Sequence, residues 1–170
     1  MVHVQSWSCY GLVSAAYRET RRDIQEEGHM HVRTMMQTEV VTVTPDTSLA
    51  AAQRLMRAQR IRHLPVVSDN RLVGIVTDRD IREATPSPAT TLSRGEIAYQ
   101  MDTTPVKTCM TREVLSIAPD TDMVHATRLL LERRFGCLPV VEARTLIGVV
   151  TELDCLRAFL AAEGGSRTEE

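Results

Sequence analysis

The chain predicts a mixed α/β (α+β) fold in which two copies of a β-α-β-β-α unit pack as a pseudo-twofold pair. Three observations point there. The segment Met36 to Asp80 aligns without a gap to Met110 to Asp154, so that residue 36 meets residue 110 at an offset of 74. The same offset pairs Pro45 with Pro119, Pro65 with Pro139, Gly74 with Gly148, Thr77 with Thr151 and Asp80 with Asp154. Within each copy a stretch of helical apolar period is followed by two apolar runs of strand length. The composition, 43% hydrophobic and 25% charged with only 4% aromatic residues, describes a globular chain with an aliphatic core.

Each element follows from local pattern. Val41 and Val43, matched by Leu115 and Ile117, predict a short first strand ended by Pro-Asp-Thr, with Asp46/Thr47 and Asp120/Thr121 as helix caps. Leu49, Ala52, Leu55 and Met56 then lie on one helical stripe, as do Met123, Ala126, Leu129 and Leu130. Leu64 to Val67 and Leu72 to Val76 predict a hairpin across the polar turn 68–71, repeated by Leu138 to Val141 and Leu146 to Val150 across 142–145. A closing helix opens at Thr77 and at Thr151. Between the copies, ATPSPATT reads as a loop, and Ser93 with Glu96 has the spacing of a capping box for a short helix ending near Met101.

The organisation expected is therefore an N-terminal extension over 1–29, a first repeat over 30–84, a connector over 85–105, a second repeat over 106–161 and a flexible tail over 162–170. A unit of about 50 residues with one layer of helices leaves a sheet face uncovered, so the two copies should depend on each other. Met30 directly precedes the repeat, and residues 1–29 read as a flexible extension; a mis-assigned start, a tag-derived segment and a functional arm are the alternatives.

Charge and cysteine usage narrow the function. With 20 Lys plus Arg against 22 Asp plus Glu, the net charge of -2 disfavours a nucleic-acid partner. No apolar run approaches the roughly 20 residues that span a bilayer, and the first residues lack a cationic n-region, so the expectation is no membrane and a cytoplasmic location. Cys9, Cys109, Cys137 and Cys155 form no CxxC pattern, and His29 with His31 lacks a third ligand, so no metal is expected. Cys137 and Cys155 read as small core residues. Arg54, Arg57 and Arg60 read as a solvated helix face or a patch for an acidic partner.

HLPVV and CLPVV in the middle of the copies, with GIVTDRD and GVVTELD at their ends, resemble a tandem pair of CBS domains, a Bateman module. The resemblance covers about residues 31–161, and the connector is similar to that of small stand-alone CBS-pair proteins of the acetoin-utilisation type. It implies a regulatory module without catalysis, commonly dimeric, that binds adenosyl compounds (AMP, ADP, ATP, S-adenosylmethionine or a dinucleotide) in clefts between the repeats and modulates a partner protein. It requires no cofactor. The family pattern Gly-x-x-Thr/Ser-x-x-Asp falls on Gly74, Thr77 and Asp80 and on Gly148, Thr151 and Asp154. By the same resemblance, the Thr and Asp hold ribose hydroxyls, and Arg62 and His63, just before the middle strand, meet phosphate. In the second copy Gly136 and Cys137 stand at those two positions. The expectation is an asymmetric module in which Thr77, Asp80, Arg62 and His63 serve the stronger nucleotide site, with Arg79 as an extra cation or a solvent-facing residue.

The residue types suit that chemistry. An ionised Asp offers two acceptor oxygens, and the first turn of a helix offers unpaired N–H groups to an anion. Charge-assisted bonds from Arg62 and a protonated His63 would each contribute roughly 1.5–3 kcal/mol before desolvation, enough to reach micromolar affinity. A second explanation stays open for the same residues: Thr77 with Asp80, and Thr151 with Asp154, have capping-box spacing, and Arg62 and His63 could line a solvated turn. A ligand-free structural dimerisation or docking module is the alternative function. No nucleophile–base constellation, Walker A motif or GxGxxG supports an enzyme.

Overall fold

The computed structural model describes residues 30–87 and 91–163; the N-terminal extension with Cys9 and His29, and the end of the tail, lie outside the described residues. In chain order the elements are α1 (Val32–Met35), α2 (Leu49–Gln59), β1 (His63–Ser68), β2 (Arg71–Thr77), α3 (Asp78–Ala84), α4 (Arg94–Thr103), a 3-10 turn (Val106–Thr108), α5 (Met123–Arg133), β3 (Cys137–Glu142), β4 (Thr145–Thr151) and α6 (Glu152–Glu163). The strands form one antiparallel sheet in the order β1-β2-β4-β3. Two hairpins, in identical register at the 74-residue offset, touch at a single pair, Arg71 with Thr145.

The expected stripes are buried: Leu49, Ala52 and Met56 on α2, and Met123, Ala126 and Leu130 on α5, pack on β1 and β3 around Leu64, Val66, Leu138 and Val140. Each fully buried aliphatic side chain of this kind contributes roughly 1.5–3 kcal/mol. The connector helix α4 begins at Ser93, whose hydroxyl accepts from the Glu96 amide while the Glu96 carboxylate accepts from Ser93, as its spacing predicts. Met101 delivers its apolar side to the first core.

Two local expectations need correction. The first strands shrink to single bridges, Val43 beside Val66 and Ile117 beside Val140. Val43 donates to the carbonyl of Pro65 and accepts from the amide of Val67, and Ile117 does the same with Pro139 and Val141. Pro45 and Pro119, two residues on, have no N–H with which to continue the ladder. The helix caps also lie further on: the Ser48 hydroxyl accepts from the Ala51 amide and the Asp122 carboxylate from the Val124 amide. Thr47 instead accepts from the Thr44 amide, while Asp46 and Asp120 form ion pairs with Lys107 and Arg33.

The segments preceding the first bridges are exchanged between halves. Val32 and Met36 pack in the core of the second repeat, and Val106 and Met110 in the core of the first. Gln37 exchanges backbone hydrogen bonds with Val149, and Thr111 with Ile75. The approach is close enough to require glycine beneath it. A Cβ on Gly74 would lie 2.7 Å from the Met110 sulfur and 3.0 Å from the Thr111 carbonyl, and one on Gly148 would lie 2.7 Å from the Met36 sulfur and 3.1 Å from the Gln37 carbonyl.

The hairpin turns are left-handed at both central residues. Asp69 and Asn70 (φ 49° and 61°) tolerate this, whereas Ala143 and Arg144 (φ 48° and 73°) do so at a steric cost of order 1 kcal/mol each. Both latter side chains are exposed. The double variant Ala143→Asn, Arg144→Gly should therefore stabilise the protein by about 1–2 kcal/mol, read in thermal melts as a rise of about 2–8 °C.

Candidate functional site

A cavity of about 310 Å³ opens between the two repeats. Arg60, Arg62 and His63, from the end of α2 and the start of β1, form one wall; Thr151, Glu152 and Leu153, where β4 passes into α6, form another. Gln37 and Glu39 close a third side, and Gly136 and Cys137 the floor. The structure thus brings Arg62 and His63 of the first repeat to Thr151 of the second. Thr77 and Asp80 are not among the residues lining this cavity; they stand across β1, where His63 and Thr77 are register partners.

Each wall is set by local folding. Arg60 takes the left-handed C-cap of α2 (φ 55°), turning the chain into β1 and placing it at the cavity instead of on a uniformly solvated helix face. Arg62 is exposed, and its carbonyl accepts from the Asp78 amide, tying the approach to β1 to the start of α3. His63 is half-buried and lies against Gly136, where a Cβ would come within 2.6 Å of its ring. Gly136 is therefore more than a missing cation: the second repeat gives up a side chain there so that the imidazole of the first can fit.

The first Thr–Asp pair forms the reciprocal capping box its spacing predicts, and the second shows the carboxylate half of it. Asp80 Oδ2 accepts from the Thr77 amide and hydroxyl, each at 2.8 Å, and the Thr77 hydroxyl accepts from the Asp80 amide. Asp154 Oδ2 accepts from the Thr151 amide at 2.8 Å and hydroxyl at 2.6 Å. Beyond the cap the two differ. Asp154 is 1% exposed and also accepts from Gln37 Nε2 and from Arg157 Nη1. Asp80 is half-buried, and among the described residues no side chain donates to its Oδ1. Arg79 is exposed and paired with Glu83.

Gln37, Glu39 and Glu152 complete the cavity without having been singled out from the sequence, and Arg60, read there as part of a solvated face or partner patch, lines it too. The signal was present in the alignment of the copies: Gln37 faces Thr111 and Arg62 faces Gly136 at the common offset, and such unlike pairs mark where the halves differ in chemistry. The thiols contribute packing. Cys109, Cys137 and Cys155 are free, and burial pushes the Cys137 thiol up to about 12, beyond reach of thiolate chemistry at neutral pH.

The CBS domain family model matches residues 32–87 and 106–161, and the chain belongs to this family. A CBS domain-containing protein of Dictyostelium discoideum is 34% identical over 127 residues, covering 74% of this chain and 88% of its own. Several other curated relatives are longer, and the chain spans between 21% and 46% of their length. Among solved structures, the protein of Vibrio cholerae assigned to acetoin utilization, AcuB, superposes with a TM-score of 0.69 at 29% identity, covering 84% of this chain and 98% of that one. The CBS-pair protein CBSX2 of Arabidopsis thaliana, solved in complex with AMP, superposes with a TM-score of 0.64 at 31% identity, covering 78% and 98%. Residues 32–87 and 106–161 are thus a pair of CBS repeats, as the internal repeat implied. No helix among the described residues is long and apolar enough to cross a membrane.

His63, on one wall of the cavity, is less basic than an ordinary imidazole. Burial, and then the neighbouring Arg62 guanidinium, hold its pKa below the ordinary 6.5, partly opposed by Glu152 and Asp80. The imidazole is accordingly neutral at pH 7 in the free protein. As pH falls below about 6.5 the unfolded chain takes up this proton before the folded one does, so stability that is complete above 6.5 is lost through the folded midpoint. NMR titration of the ring should give a midpoint below 6.5, and His63→Gln should flatten the fall in melting temperature between about pH 7 and 5.

Proposed function

We propose that this protein is a regulatory module that binds an adenosyl compound (AMP, ADP, ATP, S-adenosylmethionine or a dinucleotide) between its repeats and passes occupancy on to a partner protein in the cytoplasm, without catalysis of its own. The observation that supports it most is the cavity in which Arg60, Arg62 and His63 face Thr151 and the first turn of α6. Guanidinium groups supply forked donors to phosphate, and the ring of His63 becomes a second cation if phosphate draws a proton onto it. Thr77 with Asp80, and Thr151 with Asp154, supply hydroxyl and carboxylate groups for a ribose diol. CBSX2, a relative of the same architecture, was solved with AMP.

Isothermal titration with AMP should give micromolar binding, and ligand at 100 times its dissociation constant should stabilise the fold by about 2.7 kcal/mol in melts. Arg62→Ala should weaken AMP at least tenfold in the cavity that Arg62 lines, while leaving adenosine nearly unchanged there. Because the free His63 is neutral, AMP should bind with proton uptake and more tightly at pH 6 than at pH 8. An unmoved melting curve with all five ligand types at millimolar concentration would leave the structural alternative, a ligand-free dimerisation or docking module.

A homodimer fits either reading, and one surface supports it. Leu153, Leu156, Phe159 and Leu160 on α6 and Val124 and Leu131 on α5 are 52–73% exposed. Their counterparts in the first repeat are Arg79, Arg82, Thr85, Pro86, Ala50 and Arg57, so the apolar face belongs to the second repeat alone. Two copies meeting through it would make a self-complementary twofold contact. Light scattering should then report about twice the 19.0 kDa chain mass, and Leu156→Asp should return the protein to a monomer that melts as one cooperative unit.

A further inference from the structure

We propose that Gln37 determines which of the two Thr–Asp carboxylates is open to ligand, by holding the carboxylate of Asp154 that a ligand's hydroxyl pair would otherwise engage. The inference rests on the nucleotide-binding reading above and adds to it the residue that makes the two halves unequal.

The two halves provide a controlled comparison. Gln37 and Thr111 occupy equivalent positions, and their backbones are pinned alike: Gln37 exchanges hydrogen bonds of 2.9 and 3.0 Å with Val149, and Thr111 exchanges two of 2.9 Å with Ile75. Only the side chains differ. Gln37 Nε2 lies 3.2 Å from both carboxylate oxygens of Asp154. The shorter Thr111 makes no hydrogen bond to Asp80 among the described residues, and Asp80 Oδ1 receives none. A second difference acts in the same direction. Arg157 places its guanidinium 3.1 Å from Asp154 Oδ1, whereas the equivalent Glu83 turns outward to Arg79.

A diol needs carboxylate oxygens with capacity to accept. Asp80 offers one directly; Asp154 is already met by Thr151, Gln37 and Arg157. The Gln37 bond is shared between two oxygens at a long distance and comes from an exposed side chain, so a ligand can displace it, at a cost in affinity. Asp80 is therefore engaged first. Asp154, whose cap partner Thr151 lines the cavity with Arg60 and Arg62, is engaged only by a ligand whose phosphate offsets the displaced amide.

Reciprocal substitution tests this, with AMP as the probe in isothermal titration. Both side chains are exposed, so Gln37→Thr and Thr111→Gln should melt like the parent without ligand. Asp80→Ala isolates the contribution of Asp154. Adding Gln37→Thr to that variant should tighten AMP about tenfold, and Thr111→Gln in the otherwise unaltered protein should weaken the first site by a similar factor. If AMP binds the parent but Asp80→Ala with and without Gln37→Thr agree within twofold, or Thr111→Gln leaves the first site unchanged, Gln37 is no lock and the proposal is overturned with the nucleotide reading intact. If AMP binds neither the parent nor any variant, the nucleotide reading itself falls and takes this one with it.

Discussion

Neither repeat closes its own core: Val106 and Met110 seal the first and Val32 and Met36 the second, each arriving from the chain that leads into the other copy. The glycines beneath these segments follow from that exchange, since Gly74 and Gly148 admit a sulfur and a carbonyl where a methyl group would collide. So does the weak contact between hairpins. One bridging pair between β2 and β4 could not hold two independent units in register, but two exchanged segments bonded to β2 and β4 can. The cavity inherits its walls from this arrangement. Gln37 and Glu39 reach the second repeat because the chain has just left its docking place there, before it returns to pair Val43 with β1.

A shared backbone with unlike side chains is what separates the clefts. His63 fits because Gly136 has no side chain, and its low basicity follows from being tucked there beside Arg62. The cap of α3 leaves a carboxylate oxygen available, while that of α6 is reached by Gln37 and Arg157. Capping therefore does not exclude the proposed role of Asp80 in ligand binding. The cap consumes Oδ2 in both copies, and what a ligand finds depends on who else reaches the carboxylate.

Much of this was legible in the sequence, because a gapless repeat fixes element order before any propensity is weighed. The helical stripes, the hairpin turns, the Ser93–Glu96 box and the Thr–Asp caps depend on residues close together in sequence, and they lie where the pattern puts them. The first strands were overestimated because a strand's existence depends on a distant partner: Pro65 and Pro139 limit what β1 and β3 can offer Val43 and Ile117. The caps moved to Ser48 and Asp122 because Asp46 and Asp120 are drawn into ion pairs with residues 61 and 87 positions away. The exchange of leading segments, and with it the meeting of Arg62 with Thr151, leaves no mark in local periodicity. Its only trace was the unlike residues at equivalent positions.

On the proposed reading, a chain of net charge -2 must hold an anion in this cavity. Glu39 and Glu152 line the same space as Arg60 and Arg62, so the local charge nearly cancels and little field extends beyond the mouth. At about 0.15 M salt what remains is screened over about 8 Å, and two exposed charges 4 Å apart interact by only about 1 kcal/mol in water. Long-range attraction therefore cannot select the ligand. On the proposed reading, selection comes from directed bonds inside the cleft, from the guanidinium groups of Arg60 and Arg62 and the hydroxyl of Thr151. A polyanion surface would gain little from such a site, whereas a single nucleotide would offer it one anionic end and one neutral diol.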